Sequence, residues 1–392
     1  MKTIGLVLSS VPGYSETFFT SKISGLSKNG FRIILFAGGK KNPGLAANLV
    51  RPFPVLQERW AMLVFTPLVL GWTFLRAPGN FLRLWRLETA ASSSRREIIE
   101  RIYTSAHLLP FQLDWLHFGF ITQAVKKENV ASAMRARMGV SLRGFDICIY
   151  PLTHPHALDK IWKRIDKLHV ISDDLLQVAY RFGFPLNNLA VKITPAIDVA
   201  AFVKVSQQSN WDPHHLQLLT VGRLHWKKGL EYSFEACRIL KEKGIRFHYT
   251  LVGDGAEKEK LIFLADQLGI TENVVFAGKV SHQEVIKLMH SANIYLQPSI
   301  QEGFCNSVLE AQAAGMLCVV SDAEGLKENV LDGQTGWVTP KRQAGPIAKA
   351  IEEIISYGEE KREAIRQYAI ERVTRDFSIV KQIAAWVEFY DG

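Results

Sequence analysis

The chain has 392 residues, of which 47% are hydrophobic and 22% are charged, and its formal net charge is +9 at pH 7. This length suits two domains of ordinary size, each with its own apolar core. The balance of apolar and charged residues is typical of a globular protein and excludes a disordered or fibrous chain.

The positive charge is concentrated in the first half of the chain. Residues 1–200 hold 25 lysines and arginines against 13 acidic residues, a net charge of +12. We expect this half to meet an anionic partner: a membrane surface, a phosphate-linked lipid acceptor or nucleic acid. Nucleic acid ranks last, because the sequence contains no helix-turn-helix, zinc-finger or mixed aromatic and basic module.

The four cysteines and the amino terminus favour a cytoplasmic protein. The cysteines are scattered without a C-x-x-C pair, so the sequence predicts neither a zinc site nor a disulfide framework. This pattern fits a reducing compartment. The first apolar run, residues 4–8, is too short for the core of a signal peptide and suits a buried strand.

The chain opens with a predicted βα unit of a parallel sheet. A strand over residues 3–9 is followed by a helix over 16–29 and a second strand over 31–37. The first connecting loop contains Gly13, which allows the backbone to approach a ligand closely. No G-x-G-x-x-G is present, so a dinucleotide fingerprint is absent.

Residues 59–87 are the most unusual segment of the first half. Residues 60–75 carry no charge, but they are too few to span a bilayer, which needs roughly 20 residues, and they are interrupted by Pro67 and Gly71. Two interpretations stay open. The segment either lies as a hairpin in a membrane interface or packs as a buried helical pair on the domain core. The first interpretation rests on these side chains: Trp60, Trp72, Trp85, Arg59, Arg76, Arg83 and Arg86.

Two polar residues follow predicted strands later in the first half. A polar helix over residues 93–106 leads to strands over 113–120 and 139–142, with a helix starting at Thr122 between them. His117 ends the first of these strands and Arg143 follows the second. Open α/β sheets bind ligands at the carboxyl ends of their strands, although a single histidine after an apolar run is more often structural.

The second half alternates strands and helices more regularly. The predicted strands cover residues 217–221, 248–252, 274–276, 294–296 and 317–321, and helices follow the first four of them. Arg223 and Lys228 share the loop after the first strand, where an arginine fork and a lysine point charge suit a diphosphate. Three further helices complete the chain.

Residues 297–315, QPSIQEGFCNSVLEAQAAG, place two carboxylates eight positions apart across a loop and a helix. Ser307 and Glu310 have the spacing of a capping box, which predicts Ser307 as the N-cap of a short helix that stops at Gly315. The capping box alone would explain Glu310 and stabilise the helix by about 1 kcal/mol. Glu302 has no such local explanation, and a helix amino terminus beside it would suit a phosphate.

This stretch resembles the signature of family 4 of the retaining glycosyltransferases, also called glycosyl transferases group 1. The shared pattern is PS-x-x-E-G-F-x-x-x-x-L-E-A-x-A-x-G. The resemblance implies an α/β protein of the GT-B fold, with two Rossmann-like domains whose parallel sheets face a central cleft. It places an acceptor-binding domain at 1–200, a nucleotide-sugar-binding domain at 211–377, and a crossing helix at 378–392. It also implies a loop and hairpin over residues 324–340.

The resemblance also implies roles for single residues. Glu302 would lie by the donor sugar and Glu310 would hold the ribose. Residues 222–229 match G-R-L-x-x-x-K-G, in which the arginine and lysine neutralise the leaving diphosphate. Residues 114–119 and 141–146 resemble H-x-H-F-G and T-x-H-G-x-D, so that Arg143 stands where the family has its active-site histidine. The resemblance assigns catalysis to Glu302, His117 and Arg143, donor binding to Arg223, Lys228, Gly255, Val280, Ser307, Leu309 and Glu310, and an acceptor loop to Gly13 and Glu16.

The implied reaction is hexosyl-type transfer, with retention, from a nucleotide sugar to a glycan or a lipid-linked saccharide. No D-x-D occurs in the chain, so the metal clamp of another glycosyltransferase class is missing, and we expect neither metal nor cofactor beyond the nucleotide sugar itself. The run at 15–18, SETF, resembles members that build surface polysaccharides. We expect a cytoplasmic enzyme, and membrane contact through residues 59–87 would make it peripheral on the inner face of the cell membrane. The alternative is a catalytically inactive membrane-docking scaffold of the same fold.

Overall fold

The computed structural model describes residues 1–13, 17–40, 44–56, 58–91, 94–203 and 211–392. The chain divides into two compact units. The first comprises Met1–Ile193 together with Ile383–Gly392, and the second comprises Thr194–Gln382. One predicted site residue, the acceptor-loop residue Glu16, lies outside the described residues.

The first unit is built on a seven-stranded parallel sheet with the strand order β3-β2-β1-β4-β5-β6-β7. Five consecutive residues are buried in β1 and in β2, as expected for a parallel sheet covered by helices on both faces. The strands are β1 (Thr3–Ser10), β2 (Arg32–Gly38), β3 (Asn48–Val50), β4 (Trp115–Phe118), β5 (Arg137–Leu142), β6 (Lys167–Val170) and β7 (Ala190–Lys192).

Nine helices accompany these strands in the described part of the first unit. They are α1 (Thr17–Lys28), α2 (Arg59–Arg76), α3 (Pro78–Ala90), α4 (Arg95–Ser105), α5 (Val130–Met134), α6 (Phe145–Cys148), α7 (Tyr150–Thr153), α8 (Asp159–Trp162) and α9 (Asp173–Arg181). The opening βα unit is confirmed. The helix predicted from Thr122 is wrong, because Ile121–Gln123 forms one 3-10 turn and α5 begins only at Val130.

The unusual segment 59–87 forms the helix pair α2 and α3, bent by 119°. No single helix among the described residues is long and apolar enough to cross a membrane, although the two helices of this bent pair together have the length and composition of a membrane span. The inner side of α2 packs on the unit through Val69, which clusters with Tyr103 and Ala106 of the neighbouring helix α4 and its end. The outer side is exposed.

The second unit contains a six-stranded parallel sheet with the order β10-β9-β8-β11-β12-β13. Its strands are β8 (Leu216–Val221), β9 (Phe247–Val252), β10 (Val274–Gly278), β11 (Ile294–Gln297), β12 (Leu317–Ser321) and β13 (Trp337–Thr339). Its helices are α10 (Val199–Phe202), α11 (Leu230–Glu242), α12 (Lys258–Gln267), α13 (His282–Ser291), α14 (Asn306–Ala313), α15 (Leu326–Asn329), α16 (Ala344–Ser356) and α17 (Glu359–Asp376).

The predicted strands of this unit are confirmed, but the hairpin over residues 324–340 is wrong. This segment forms the short helix α15 and the strand β13, which pairs with β12 in parallel. A parallel pair needs a crossover, and α15 with its following turn supplies it.

The last helix, α18 (Ile379–Asp391), begins in the second unit and ends in the first. Its aromatic residues Trp386, Phe389 and Tyr390 are buried in the apolar core of the first unit, beside Trp115 of β4. The carbonyl groups at its end are capped by basic side chains: Lys167 Nζ donates to the Phe389 carbonyl at 2.8 Å, and Lys2 Nζ donates to the Tyr390 carbonyl at 3.0 Å. Cations at a helix carboxyl terminus are favourable, so this end of the chain is firmly part of the first unit.

Candidate functional site

Two loops meet at the carboxyl edge of the second sheet, one after β8 and one after β11. The main-chain N–H of Ile300 donates to the Lys227 carbonyl at 2.7 Å, and that of Gln301 donates to the same oxygen at 3.2 Å. Gly229 makes the approach possible. It has a φ of +57°, and a Cβ at this position would lie 2.4 Å from the Pro298 carbonyl oxygen. The glycine in the motif therefore joins the two loops rather than contacting a ligand.

Lys228 and Glu302 form an ion pair where these loops meet. Lys228 Nζ lies 2.5 Å from Glu302 Oε2, and only 18% and 17% of the two side chains are exposed. Burial alone would lower the pKa of Lys228, but the Glu302 carboxylate outweighs it and raises that pKa above its usual range. Lys228 is therefore a permanent cation. Arg223, exposed on the same loop, adds a second positive charge that acts on Lys228.

The start of α14 differs from the prediction. The helix begins at Asn306 with Cys305 as its N-cap, and no side chain caps it. The predicted capping box of Ser307 and Glu310 is therefore wrong, and Glu310 lies beyond the first turn. The helix start is fixed instead by Asn329, whose side chain accepts from Cys305 N and donates to the Cys305 carbonyl, both at 3.0 Å. Asn329 comes from α15, so local spacing gave no signal for it.

Ser307 has a different role in the structure from that of a cap. The buried Tyr295 hydroxyl of β11 lies 2.7 Å from Ser307 Oγ and 3.0 Å from the Val221 carbonyl at the end of β8. Tyr295 thus connects the start of α14 to the first loop of the site. Nothing in the sequence distinguishes it from an ordinary buried strand residue. Leu309 is fully buried, so its side chain contributes to packing and does not face a ligand.

Glu310 is a half-buried carboxyl group on α14. Burial raises the pKa of Glu310 from its ordinary value of 4.5 to about 7. A carboxyl group held out of water in this way gains from a ligand that donates hydrogen bonds to it, because such bonds favour the charged form. Glu310 is thus poised to accept hydrogen bonds from hydroxyl groups.

A third loop, after β9, packs backbone to backbone on the loop after β8. Gly253 has a φ of +135°, and its Cβ would lie 1.9 Å from the Gly222 carbonyl. A Cβ on Gly255 would lie 2.2 Å from the Leu224 carbonyl. Gly255 is therefore required for the loop packing that positions Arg223. Val280, predicted to approach the nucleotide base, is half-buried two residues after β10.

His117 lies in the interior of the first unit, without exposed surface. Its Nε2 is 2.8 Å from Ser141 Oγ, and its Nδ1 is 2.8 Å from the hydroxyl of Tyr390. Burial, with a smaller effect of Lys22, lowers the pKa of His117 well below its usual value. A neutral imidazole with both nitrogens bonded inside the core does not contact a substrate, so the expectation of a catalytic His117 does not fit this position. Its partner Tyr390 lies 273 residues away in the chain, so a local motif cannot predict this contact.

Arg143 lies at the carboxyl end of β5, half-buried on an aromatic platform. Its guanidinium carbon is 4.0 Å from the ring centroid of Phe18 and 4.5 Å from that of Phe19. The turn after it is held by the buried Asp146, whose carboxylate accepts from the main-chain N–H groups of Arg143 and Gly144. Arg143 therefore has a fixed position at a sheet edge where ligands bind. Gly13 is exposed in the loop after β1.

Within the described ranges, no group of three or more histidine, cysteine, aspartate or glutamate side chains is arranged to hold a metal ion. The polar groups gathered at the second sheet are instead two cations and two carboxylates: Arg223, Lys228, Glu302 and Glu310. Their chemistry suits an anionic ligand that also carries hydroxyl groups.

Comparisons with known proteins agree with this chemistry. The model of the family described as glycosyl transferases group 1 matches residues 203–372. The putative colanic acid biosynthesis glycosyltransferase WcaL of Escherichia coli is 26% identical over 393 residues, which cover 96% of each chain. Its namesake in Salmonella typhimurium is 27% identical over 283 residues, which cover 69% of each chain. The crystal structure of Anabaena Alr3699/HepE in complex with UDP has the same fold, with a TM-score of 0.73 and 17% identity over the whole of both chains.

The two parallel α/β units and the site at the second sheet define a glycosyltransferase of the GT-B fold. The match to the glycosyl transferases group 1 model lies entirely within the second unit.

Proposed function

We propose that this glycosyltransferase moves a sugar from a nucleoside diphosphate sugar to a glycan or a lipid-linked saccharide, with retention of anomeric configuration and without a metal ion or cofactor. The observation that carries the proposal is the Lys228–Glu302 ion pair at the carboxyl edge of the second sheet, with Arg223 on the same loop. Placement in family 4 of the retaining enzymes belongs to the same proposal.

The donor diphosphate would be bound by positive charge from three sources. Arg223 offers a planar fork of donors, Lys228 a compact cation, and the start of α14 the positive end of its helix dipole. Fixed donors of this kind stabilise the charge that develops on a leaving diphosphate and need no reorganisation during the reaction. They take the place that a metal ion has in other classes of glycosyltransferase.

The two carboxylates would have separate tasks. Glu302 shares Lys228 with the diphosphate and would orient the donor sugar beside it. Glu310, whose pKa is raised by burial to about 7, would accept hydrogen bonds from the ribose hydroxyl groups. A double displacement needs two carboxylates beside the anomeric carbon, about 5 Å apart. With Glu310 on the ribose, that arrangement is not available.

We therefore propose attack from the face that the diphosphate leaves. The bond between the anomeric carbon and the phosphate oxygen breaks, and the acceptor oxygen forms its bond to the same carbon on the same face. The acceptor hydroxyl gives its proton to the departing phosphate oxygen, so no protein base is required. Charge then balances without His117, which is buried. Arg143, at the carboxyl edge of the first sheet, would bind the acceptor.

The proposed acceptor class is supported by the curated relatives and by the charge of the first half. The WcaL relatives are named for colanic acid biosynthesis, so we propose that this chain also acts in the synthesis of a polysaccharide or glycolipid. The net charge of +12 in residues 1–200 supports an acceptor with a phosphate-linked lipid. The enzyme would then work at the cytoplasmic face of the cell membrane.

Donor hydrolysis tests this proposal without knowledge of the acceptor. Candidate UDP-sugars are incubated, with and without a chelator, at a protein concentration high enough for hydrolysis to outpace mutarotation, and proton NMR identifies the anomer that is released first. We expect the released sugar to keep the anomeric configuration of the donor and the rate to be the same with and without chelator. Release of the opposite anomer would overturn retention, and loss of activity with chelator would overturn metal independence.

A further inference from the structure

The outer surface of the helix pair α2 and α3 is not used by the proposed reaction. Its large apolar side chains face water: Leu75 is 82% exposed, Leu63 76%, Trp60 68% and Leu68 64%. A monomeric soluble protein seldom exposes a contiguous apolar surface of this kind unless it meets a partner. We call the exposed face of residues 60–86 the α2–α3 face.

Helical periodicity shows how unusual α2 is. The residues that pack inward recur at helical spacing, Val69 and Thr73 among them. On the opposite side a surface helix normally carries charged or polar residues. Here the opposite side holds Val64, Leu68 and Leu75, and residues 60–75 include no charged side chain. Both sides of this helix are therefore apolar, and the protein covers only one of them.

The α2–α3 face is held firmly in place. On α3, Asn80 Nδ2 donates to the Leu109 carbonyl at 2.6 Å, and Arg83 Nε donates to the Ala133 carbonyl at 2.7 Å. The buried Glu88 carboxylate accepts from Arg101 at 3.0 Å and from Asn129 at 3.1 Å. Since these polar contacts secure the inner side of α3, the exposed side is presented as a fixed surface.

Charge identifies the partner as an anionic membrane surface. No acidic residue occurs between positions 59 and 87. Arg76 and Arg86 are exposed beside the apolar residues, as are Trp72 and Trp85 in part. Tryptophan and arginine at the border of an apolar face suit the headgroup region, where the rings and guanidinium groups meet lipid phosphates.

We propose that the α2–α3 face inserts into one leaflet of an anionic membrane, with α2 lying in the interface and the arginines among the phosphates. The inference deepens the proposed function, on which it rests for the location of the acceptor, because it names the surface that would bring the enzyme to a lipid-linked saccharide. The contacts of Arg83 and Glu88 with the first unit keep α3 from crossing the bilayer.

Vesicle binding of the purified full chain tests this proposal. Flotation is measured with phosphatidylcholine vesicles that contain or lack phosphatidylglycerol, and quenching of tryptophan fluorescence by brominated lipid reports insertion. We expect Leu68→Asp/Leu75→Asp to lower binding at least a hundredfold, since two exposed leucines no longer gain from burial in lipid. The matched control is Leu186→Asp/Leu189→Asp, which adds the same charge on another exposed part of the first unit and should leave binding unchanged.

A second pair of variants tests the charge. Arg76→Ser/Arg86→Ser should lower binding to anionic vesicles by about thirtyfold and leave binding to neutral vesicles unchanged. Absence of vesicle binding by the wild type overturns the proposal, and so does a dimer in solution that Leu68→Asp/Leu75→Asp dissociates. Donor binding of the same variants, measured by thermal shift, should match the wild type. If the wild type binds vesicles but no donor, the result counts against the proposed function and leaves the membrane proposal standing.

Discussion

The raised pKa of Glu310 leads to a prediction about stability and pH. Glu310→Gln replaces the half-buried carboxyl group with a neutral group of the same shape. Burial raises the pKa of Glu310 from 4.5 to about 7 in the folded chain, whereas an unfolded chain should show the ordinary value. As pH rises, the unfolded state loses this proton first, so ionisation favours unfolding. The loss of folding stability caused by the ionised Glu310 is absent well below pH 4.5, grows between pH 4.5 and 7, and is complete above pH 7.

The magnitude follows from the two pKa values. A difference between 4.5 and about 7 corresponds to about 3 kcal/mol. In the absence of ligand, Glu310→Gln should therefore be more stable than the wild type at pH 8, by up to about 3 kcal/mol, and the advantage should be nearly gone at pH 4.5. For a unit of this size, the advantage corresponds to a rise of roughly 6–12 °C in the Tm of its transition.

The assay is thermal unfolding of both proteins, without nucleotide, at several pH values between 4.5 and 8. The exposed Glu272 provides a matched control, because Glu272→Gln changes the same chemical group in the same unit without removing a buried charge. Titration of all other groups cancels when each variant is compared with the wild type at the same pH. An advantage of Glu310→Gln that is the same at pH 5 and pH 8 would refute the argument from burial.

Three further predictions concern the same site. Lys228→Ala removes a cation proposed to bind the diphosphate and leaves Glu302 unpaired, so we expect steady-state kcat/KM to fall at least a hundredfold. A fall of less than threefold would exclude this role. Gly229→Ala should destabilise the second unit by at least about 1 kcal/mol more than Gly244→Ala in denaturant titrations, because both glycines have positive φ but only Gly229 faces a carbonyl oxygen. Affinity for a UDP-sugar should fall about tenfold from pH 8 to pH 6 in calorimetry, since the ribose needs the ionised Glu310, and it should not change with pH in Glu310→Gln.

Most strands of both sheets were readable from the sequence because they are continuous apolar runs that end in glycine, proline or polar residues. The three-residue strands at the sheet edges, Asn48–Val50, Ala190–Lys192 and Trp337–Thr339, were not predicted. The strand after α14, Leu317–Ser321, has the predicted bounds. Hydrophobic periodicity and local turn residues determine where such strands begin and end. The donor-side loops were also readable, since Arg223 and Lys228 follow one strand directly and Glu302 follows another.

The wrong predictions concern residues whose partners are distant in the chain. The capping box of Ser307 and Glu310 matched a local rule. The helix begins instead at Asn306, because Asn329, 24 residues after Cys305, holds the Cys305 main chain. His117 followed an apolar run and matched a catalytic pattern, yet Tyr390 and Ser141 enclose it in the core. Such partners become neighbours only through the tertiary fold, so spacing within a motif cannot reveal them.

The central claim is that Arg223 and Glu310 belong to a binding site for a nucleotide sugar, and a thermal-shift screen tests it most directly. The purified wild type, Arg223→Ala and Glu310→Ala are screened against UDP-, GDP-, ADP- and dTDP-sugars, with the exposed Arg246→Ala, at the opposite edge of the sheet, as control. A donor at a hundredfold excess over Kd stabilises the folded state by about 2.7 kcal/mol. We predict a shift with one nucleotide in the wild type and in the control, lost in both site variants. No shift with any donor, or an undiminished shift in both site variants, would contradict the claim.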